Sequence, residues 1–291
     1  MPLLRPRRSA LYMPGSNARA IEKARSLAAD VLILDLEDAV APEAKAVARR
    51  QVCDAVLSRA FGSREVVVRI NALSTPWGRD DLEAVAAAKP DAVLLPKVDR
   101  AGDVIHVQAA LDASACPATV GLWAMMETPR AMLDALAIAE AALGPAPRLG
   151  AFVVGTNDLL KDTRMRAAPG RTPLVPWLTT LVAAARACGL AILDGVYNVL
   201  DDGDGLSIEC AQARELGMDG KTLIHPRQIE PCNAAFAPSA AELAWARKVV
   251  AAFDDNPANA ARNVVQVDGQ MVERLHLAAA RHDLATAEIE R

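Results

Sequence analysis

Two acidic residues at the ends of apolar runs carry the clearest chemical signal in the sequence. The run V-G-L-W-A-M-M (120–126) stops on Glu127, and Thr128-Pro129 then opens a helical stretch. The run L-G-A-F-V-V (149–154) leads into G-T-N-D-L and presents Asp158. A carboxylate at the end of a buried strand is costly unless something pairs with it. Two of them on consecutive strand ends suit a hard divalent cation, which takes oxygen ligands. Glu127 and Asp158 are therefore expected to hold such a cation against a substrate.

The elements that must position this pair are legible as an alternation. Short β-rich runs fall at 9–13, 31–36, 65–70, 92–95, 120–126, 149–154, 190–193 and 221–224, with Ala-rich helical stretches between them, the first two at 18–29 and 45–58. Strands alternating with helices imply a parallel sheet, and eight repeats imply closure into a (β/α)8 TIM barrel. The competing fold, an open doubly wound sheet, would usually carry G-x-G-x-x-G after its first strand; here that place reads P-G-S-N. In a barrel the catalytic groups come from the C-terminal ends of the strands. Those ends supply Glu37, Asp38, Arg69, Lys97, Glu127, Asp158, Asp194 and His225, while the strand interiors read as almost wholly apolar.

The barrel is assigned to residues 1–235. Beyond them the alternation stops, leaving an Ala-rich helix at 239–253, a polar break at 254–263, an extended or turn segment around Asp268-Gly269 and a last helix from about 275. A tail of this size is too small for a core of its own. Residues 236–291 are thus read as a helical arm or lid that packs on the barrel or reaches a neighbouring subunit.

Composition narrows the class. Apolar residues make up 52% of the 291 and aromatics only 3%, so the core must be mainly Ala, Val, Leu and Ile. The 32 Lys and Arg against 36 Asp and Glu leave a net charge of −4, which points to neither nucleic acid nor a membrane surface. The cluster Arg5-Pro6-Arg7-Arg8 reads as a solvated arm. Five scattered cysteines without CxxC spacing argue against a disulfide framework or a zinc site and fit a reducing compartment. No apolar run approaches the roughly 18 residues of a membrane span, and the first residues lack the apolar core of a signal peptide. A soluble, cytoplasmic protein is expected.

Nine motifs in order make the chain resemble the citrate lyase beta subunit and malyl-CoA lyase (CoA ester lyase) family. They are R-S-A-L-Y-M-P-G-S-N (8–17), A-D-V-L-I-L-D-L-E-D-A-V-A-P (29–42), V-V-R-I-N (67–71), L-L-P-K-V (94–98), M-E-T-P-R (126–130), G-T-N-D-L (155–159), L-D-G-V-Y (193–197), D-G-K-T-L-I-H-P-R-Q-I (219–229) and D-G-Q-M-V-E (268–273). The resemblance implies a TIM barrel with Mg2+, or Mn2+ in its place, on Glu127 and Asp158. It implies that Arg69 contacts a substrate carboxylate or thioester oxygen, with Glu37 and Asp38 bonding to metal-bound water. Tyr12, Lys23, Ile224 and His225 would line the CoA ester, and Asn157 would join Glu127 and Asp158 beside the substrate. Glu273 aligns with an acid/base that the arm brings to a neighbour's site, one methylene longer than the family's Asp. Asn17 stands where an Arg often meets the CoA phosphates, with Arg19 close by. A homotrimer or homohexamer follows from the same resemblance.

The implied reaction is cleavage, or the reverse condensation, of a 3-hydroxyacyl-CoA such as malyl-CoA or citramalyl-CoA to acetyl-CoA and a 2-oxo acid. Its hard species is the thioester enolate: Mg2+ would polarise the bond that becomes the ketone, Arg69 would supply a fixed cationic fork, and Glu273 would protonate carbon. Three other activities stay open: a citrate lyase beta subunit acting on an acyl-carrier-protein thioester, a malyl-CoA thioesterase, and a metal aldolase for free 2-oxo acids. A barrel serving only as a binding scaffold is the non-enzymatic alternative. Structural duties compete residue by residue. Glu127 or Asp158 could cap a helix, Arg69 could pair with Glu37 or Asp38, and His225 could cap rather than touch CoA. Lys97 could form a Schiff base, but beside an acidic pair a salt bridge is the expectation. Asp194 is expected to be structural.

Overall fold

The computed structural model describes residues 5–254, 259 and 262–289. Residues 1–4 and most of the polar break expected at 254–263 lie outside them. Eight parallel strands close into a barrel in chain order: β1 (Ser9–Pro14), β2 (Val31–Asp35), β3 (Glu65–Arg69), β4 (Ala92–Leu95), β5 (Gly121–Met126), β6 (Leu149–Val154), β7 (Ala191–Asp194) and β8 (Gly220–Leu223), with β8 pairing back to β1. The barrel belongs to a compact unit spanning residues 7–236.

Every strand is covered on both faces, which is why the sequence shows unbroken apolar runs instead of alternation. Side chains still alternate. Ala10, Val31, Ile33, Val67, Leu94, Trp123, Met125, Ala151, Val153 and Leu193 fill the interior. Leu32, Leu34, Val66, Val68, Leu122, Phe152 and Ile192 point outward into the layer beneath the helices.

That layer is built by α1 (Ala18–Ala24), α2 (Lys45–Leu57), α3 (Gly78–Ala88), α4 (Ala101–Ala113), α5 (Pro129–Leu133), α6 (Ala135–Glu140), α7 (Thr156–Thr163), α8 (Val175–Ala187), α9 (Gly203–Glu215) and α10 (Ile229–Phe236). Asn17 caps α1, its side chain accepting from Ala20 N–H at 3.0 Å. The helix expected to reach residue 29 stops at Ala24, where Ser26 Oγ donates to Lys23 O at 3.0 Å and diverts the helical carbonyl ladder.

The strand interiors are apolar apart from a few residues, among them the buried, ion-paired Glu65 and Lys221. One expectation about charge is corrected: Arg7 and Arg8 are not a solvated arm. Arg7 forms a bidentate pair with Glu65 at 2.7 and 2.8 Å and stacks 4.8 Å from the Trp123 ring, and Arg8 holds Asp30 at 2.8 and 2.9 Å. The carboxylates draw the arginines in because a buried acid must be paired.

A second unit starts at Ala237. It contains α11 (Ala240–Asp254), a hairpin of β9 (Val264–Val267) and β10 (Gln270–Glu273), and α12 (Arg274–Ile289). Asp268 and Gly269, at φ +51° and +80°, make the two-residue turn. The expectation that this tail lacks a core is corrected too. Ala246, Val249, Phe253, Val265, Val267, Val272, Leu277 and Ala280 form an apolar cluster of their own, because two helices and a hairpin each present one apolar face to the same space.

Candidate active site at the barrel mouth

A cavity of about 340 Å³ opens where the strands end, and residues in or just after β1, β2, β3, β5, β6, β7 and β8 line it. Tyr12, Asp35, Asp38, Arg69, Glu127, Asn157, Asp158 and Ile224 all reach it. Of these, Asp35 is a residue that sequence reading missed.

Asp35 decides where Arg69 points. The two are register partners across β2 and β3. Arg69 Nε and Nη2 donate to the two Asp35 oxygens at 2.7 and 2.6 Å, a bidentate fork. That leaves Nη1, which lies 2.8 Å from Glu37 Oε2, 3.7 Å from Asp38 Oδ2 and 3.7 Å from Met125 Sδ. The Tyr12 ring stacks 4.8 Å from the guanidinium. Arg69 thus pairs with Glu37 as expected, but Asp35 is its principal partner. The available signal was parity: Val31, Ile33 and Asp35 share the inward face of β2.

Burial pushes the Glu37 carboxyl from 4.5 up to about 8; Arg69 opposes the rise, and the charges of Asp38, Glu127 and Asp35 add to it. Its Oε2 is buried without a hydrogen bond, since Arg69 Nη1 is near but out of line. The loop bearing Glu37 is pinned from behind. Buried Lys45 donates to Leu36 O, Glu37 O and Asn71 Oδ1 at 2.8, 2.7 and 2.7 Å. Burial also raises the Tyr12 hydroxyl, although Arg69 works against it, so Tyr12 stays a neutral donor.

The acidic pair meets as expected, through a third residue. Glu127 follows β5 and is 1% exposed, whereas Asp158 is the third residue of α7 and not a strand-end group, a correction to its placement. At that position the helix N-terminus favours its negative charge. Lys97, just past β4, bridges the two: Nζ lies 2.6 Å from Asp158 Oδ2 and 3.4 Å from Glu127 Oε1, and its backbone N–H donates to the same Oε1 at 2.8 Å. The salt bridge expected of Lys97 is therefore present. Burial raises the Glu127 carboxyl despite Lys97. At Asp158 burial acts in the same sense, but hydrogen bonding and charge from Lys97 prevail and hold it low. Gly155 packs on Glu127 so closely that a Cβ there would sit 2.4 Å from Glu127 Cβ and 2.7 Å from Oε2.

The remaining candidates are dispersed. Asn157 and Asn198 exchange side-chain hydrogen bonds at 3.3 and 2.8 Å. Ile224 is 41% exposed on the cavity rim. His225 caps the turn Pro226–Gln228, its Nδ1 accepting from Arg227 N–H at 3.1 Å. Lys23 is exposed on α1 and does not line the cavity. Glu273 ends β10 in the second unit, half-buried, its N–H donating to His276 Nδ1 at 2.9 Å. Asp194 lies in the layer outside the barrel, fully buried against Lys221 at 2.7 Å and Arg171 at 2.8 Å.

Comparisons with known proteins agree with this architecture. The chain is 49% identical over 283 residues to a (3S)-malyl-CoA thioesterase of Cereibacter sphaeroides, covering 97% of this chain and 95% of that protein. It is 37% identical over 290 residues to the citrate lyase subunit beta of Escherichia coli, covering 98% and 94%. Among solved structures, protein CitE from Mycobacterium tuberculosis, in complex with magnesium, acetoacetate and coenzyme A, superposes with a TM-score of 0.78 at 33% identity over 98% of this chain and 100% of that one. With the HpcH/HpaI aldolase/citrate lyase model matching residues 8–226, the chain belongs to that family.

Proposed function

We propose that the protein is a Mg2+-dependent enzyme acting on a short 3-hydroxyacyl-CoA of the malyl-CoA type, and that it hydrolyses the thioester to the free hydroxy acid and CoA. The observation that carries this reading is the pairing, around one cavity, of a clamped arginine with two carboxylates that already share a cation. Among the described residues no group of three or more His, Cys, Asp or Glu is placed to hold a metal. Glu127 and Asp158 would supply two ligands to Mg2+, with oxygens from substrate and water completing the shell, as that ion prefers. Their donor chemistry fits, since both oxygens already accept a positive charge from Lys97. Bound there, Mg2+ would act as a Lewis acid on substrate oxygens.

The chain's own groups then have separate tasks. Arg69, fixed by Asp35, offers Nη1 to the oxyanion that develops on the thioester carbonyl. Asp38, which lines the cavity, is the carboxylate placed to take a proton from the attacking water, while Glu37 is buried beside Arg69 and does not line it. Tyr12 and Ile224 border the acyl and pantetheine path, with Asn157 and Asp38 on the polar side.

Hydrolysis is placed first because of the 49% identity to malyl-CoA thioesterases along nearly the whole chain. Carbon–carbon cleavage is the second reading, favoured by the likeness to citrate lyase beta subunits. In that reading Glu273 is the acid that protonates the enolate carbon. Incubating the protein with (3S)-malyl-CoA and Mg2+ and identifying products by mass spectrometry decides between them. Free malate with CoA thiol supports hydrolysis, acetyl-CoA with glyoxylate supports cleavage, and unconsumed substrate rejects both.

A further inference from the structure

Lys97 occupies the place between Glu127 and Asp158 that a bound cation must take. Both carboxylates share its one positive charge, at 3.4 and 2.6 Å. It gets there from unusual backbone, with φ at +52°, in the left-handed region where a side chain is disfavoured. That turn lets the amide and the ammonium of one residue serve the same Glu127 oxygen. The two contacts differ in permanence. The amide is fixed by the backbone, whereas the side chain is 35% exposed and has solvent to move into. Arg69, a second cation of the mouth, is only 9% exposed and locked on Asp35, and Lys161, 3.4 Å from Asp158 Oδ1, is an exposed residue of α7 held on the other oxygen.

We propose that Lys97 is a built-in counter-ion that competes with the metal: its ammonium neutralises Glu127 and Asp158 in the metal-free protein and is displaced from Asp158 when a divalent cation binds, while its amide stays on Glu127. This rests on the reading of those carboxylates as metal ligands. An ammonium and a divalent ion cannot share a site of this size, because they repel at contact distance. Only molecules whose Lys97 has swung away are competent to bind, so the apparent dissociation constant is raised by the inverse of that fraction. Lys97 is thereby a positioning residue that sets metal affinity and keeps two facing carboxylates from destabilising the metal-free barrel.

The test uses the full-length protein, with Mn2+ as probe. Binding is followed by the EPR signal of the free ion, and thermal melting is measured with and without Mn2+. Lys97→Met removes the charge and keeps the stem; Lys97→Asn removes it with a residue that tolerates left-handed backbone. Both variants should bind Mn2+ about fivefold to tenfold more tightly than the unmodified protein. Both should melt lower without metal and gain more on adding it. Equal or weaker binding in both variants, with Glu127→Gln abolishing binding, overturns the counter-ion role and leaves the metal site standing. No Mn2+ binding by the unmodified protein or by either variant overturns the metal reading and this proposal with it.

Discussion

Arg69 gains its chemical usefulness from Asp35. A guanidinium 9% exposed at a barrel mouth is tolerable only with a partner, and the bidentate contact at 2.6 and 2.7 Å both neutralises it and fixes its plane. Asp35→Ala leaves that cation buried and mispaired. It should destabilise the protein by about 3–5 kcal/mol in urea unfolding and lower kcat by roughly a hundredfold or more in the molecules that still fold. Glu37 makes a pH prediction. Its folded value of about 8 lies above the ordinary 4.5, so the folded state holds this proton more tightly than the unfolded chain. The contribution to stability is complete below pH 4.5 and is lost as pH rises through 8. Melting temperatures recorded across that window should decline for the unmodified protein and flatten in Glu37→Gln. A parallel decline in both proteins would reject the assignment.

At the scale of elements, the approach of β6 to β5 sets the proposed metal pair. Gly155 ends the β6 run and lies against Glu127, where any β-carbon would come within 2.4 Å of its Cβ. Gly155→Ala should therefore weaken Mn2+ binding by about tenfold or more, since the shift moves a ligand of an ion with strict geometry. Calorimetric titration checks this, and unchanged affinity would show that Glu127 is not the ligand. A second element-level device joins β7 and β8 to α9. Lys221 is fully buried on the outer barrel face, paired with Asp194 and Glu209, while Arg171 shares Asp194. Burial alone would raise the Asp194 carboxyl, but Lys221 and Arg171 prevail and hold it below the ordinary range. Its stabilisation is thus present above the ordinary carboxylate value and fades as pH falls through the depressed one. Asp194→Ala should cost about 3–5 kcal/mol by leaving Lys221 short of a partner, and the acid-unfolding curve should lose its steepest part.

For the whole molecule, the carbon–carbon cleavage reading makes a prediction about Glu273 and a neighbouring copy of the chain. The cavity is lined by the unit spanning 7–236, whereas Glu273 belongs to the unit from Ala237 onward. If arms are exchanged between copies in a homo-oligomer, Arg69→Ala and Glu273→Gln should each lack carbon–carbon cleavage alone. Mixed and reassembled, they should recover part of the activity, because some sites then receive both intact residues. No recovery on mixing would reject the exchange.

The alternation of the chain determined the barrel by itself. The run expected at 149–154 is the strand Leu149–Val154, and the other seven strands lie within a residue or so of their expected ends, because strands covered on both faces must be continuously apolar and their polar caps stand out. The same caps marked Arg69, Glu127 and Asp158 as mouth residues. What they did not reveal is which acid belongs to which cation. Asp35 sits two residues from Glu37 and three from Asp38, and only the inward parity and the β2–β3 register select it for Arg69. Likewise Lys97 and Glu127 follow β4 and β5 and Asp158 lies in the first turn of α7, far apart in the chain, and only the folded barrel brings one ammonium between two carboxylates. Periodicity is a local property and is written in the sequence; pairing across strands is set by register and closure, which exist only once the chain has folded.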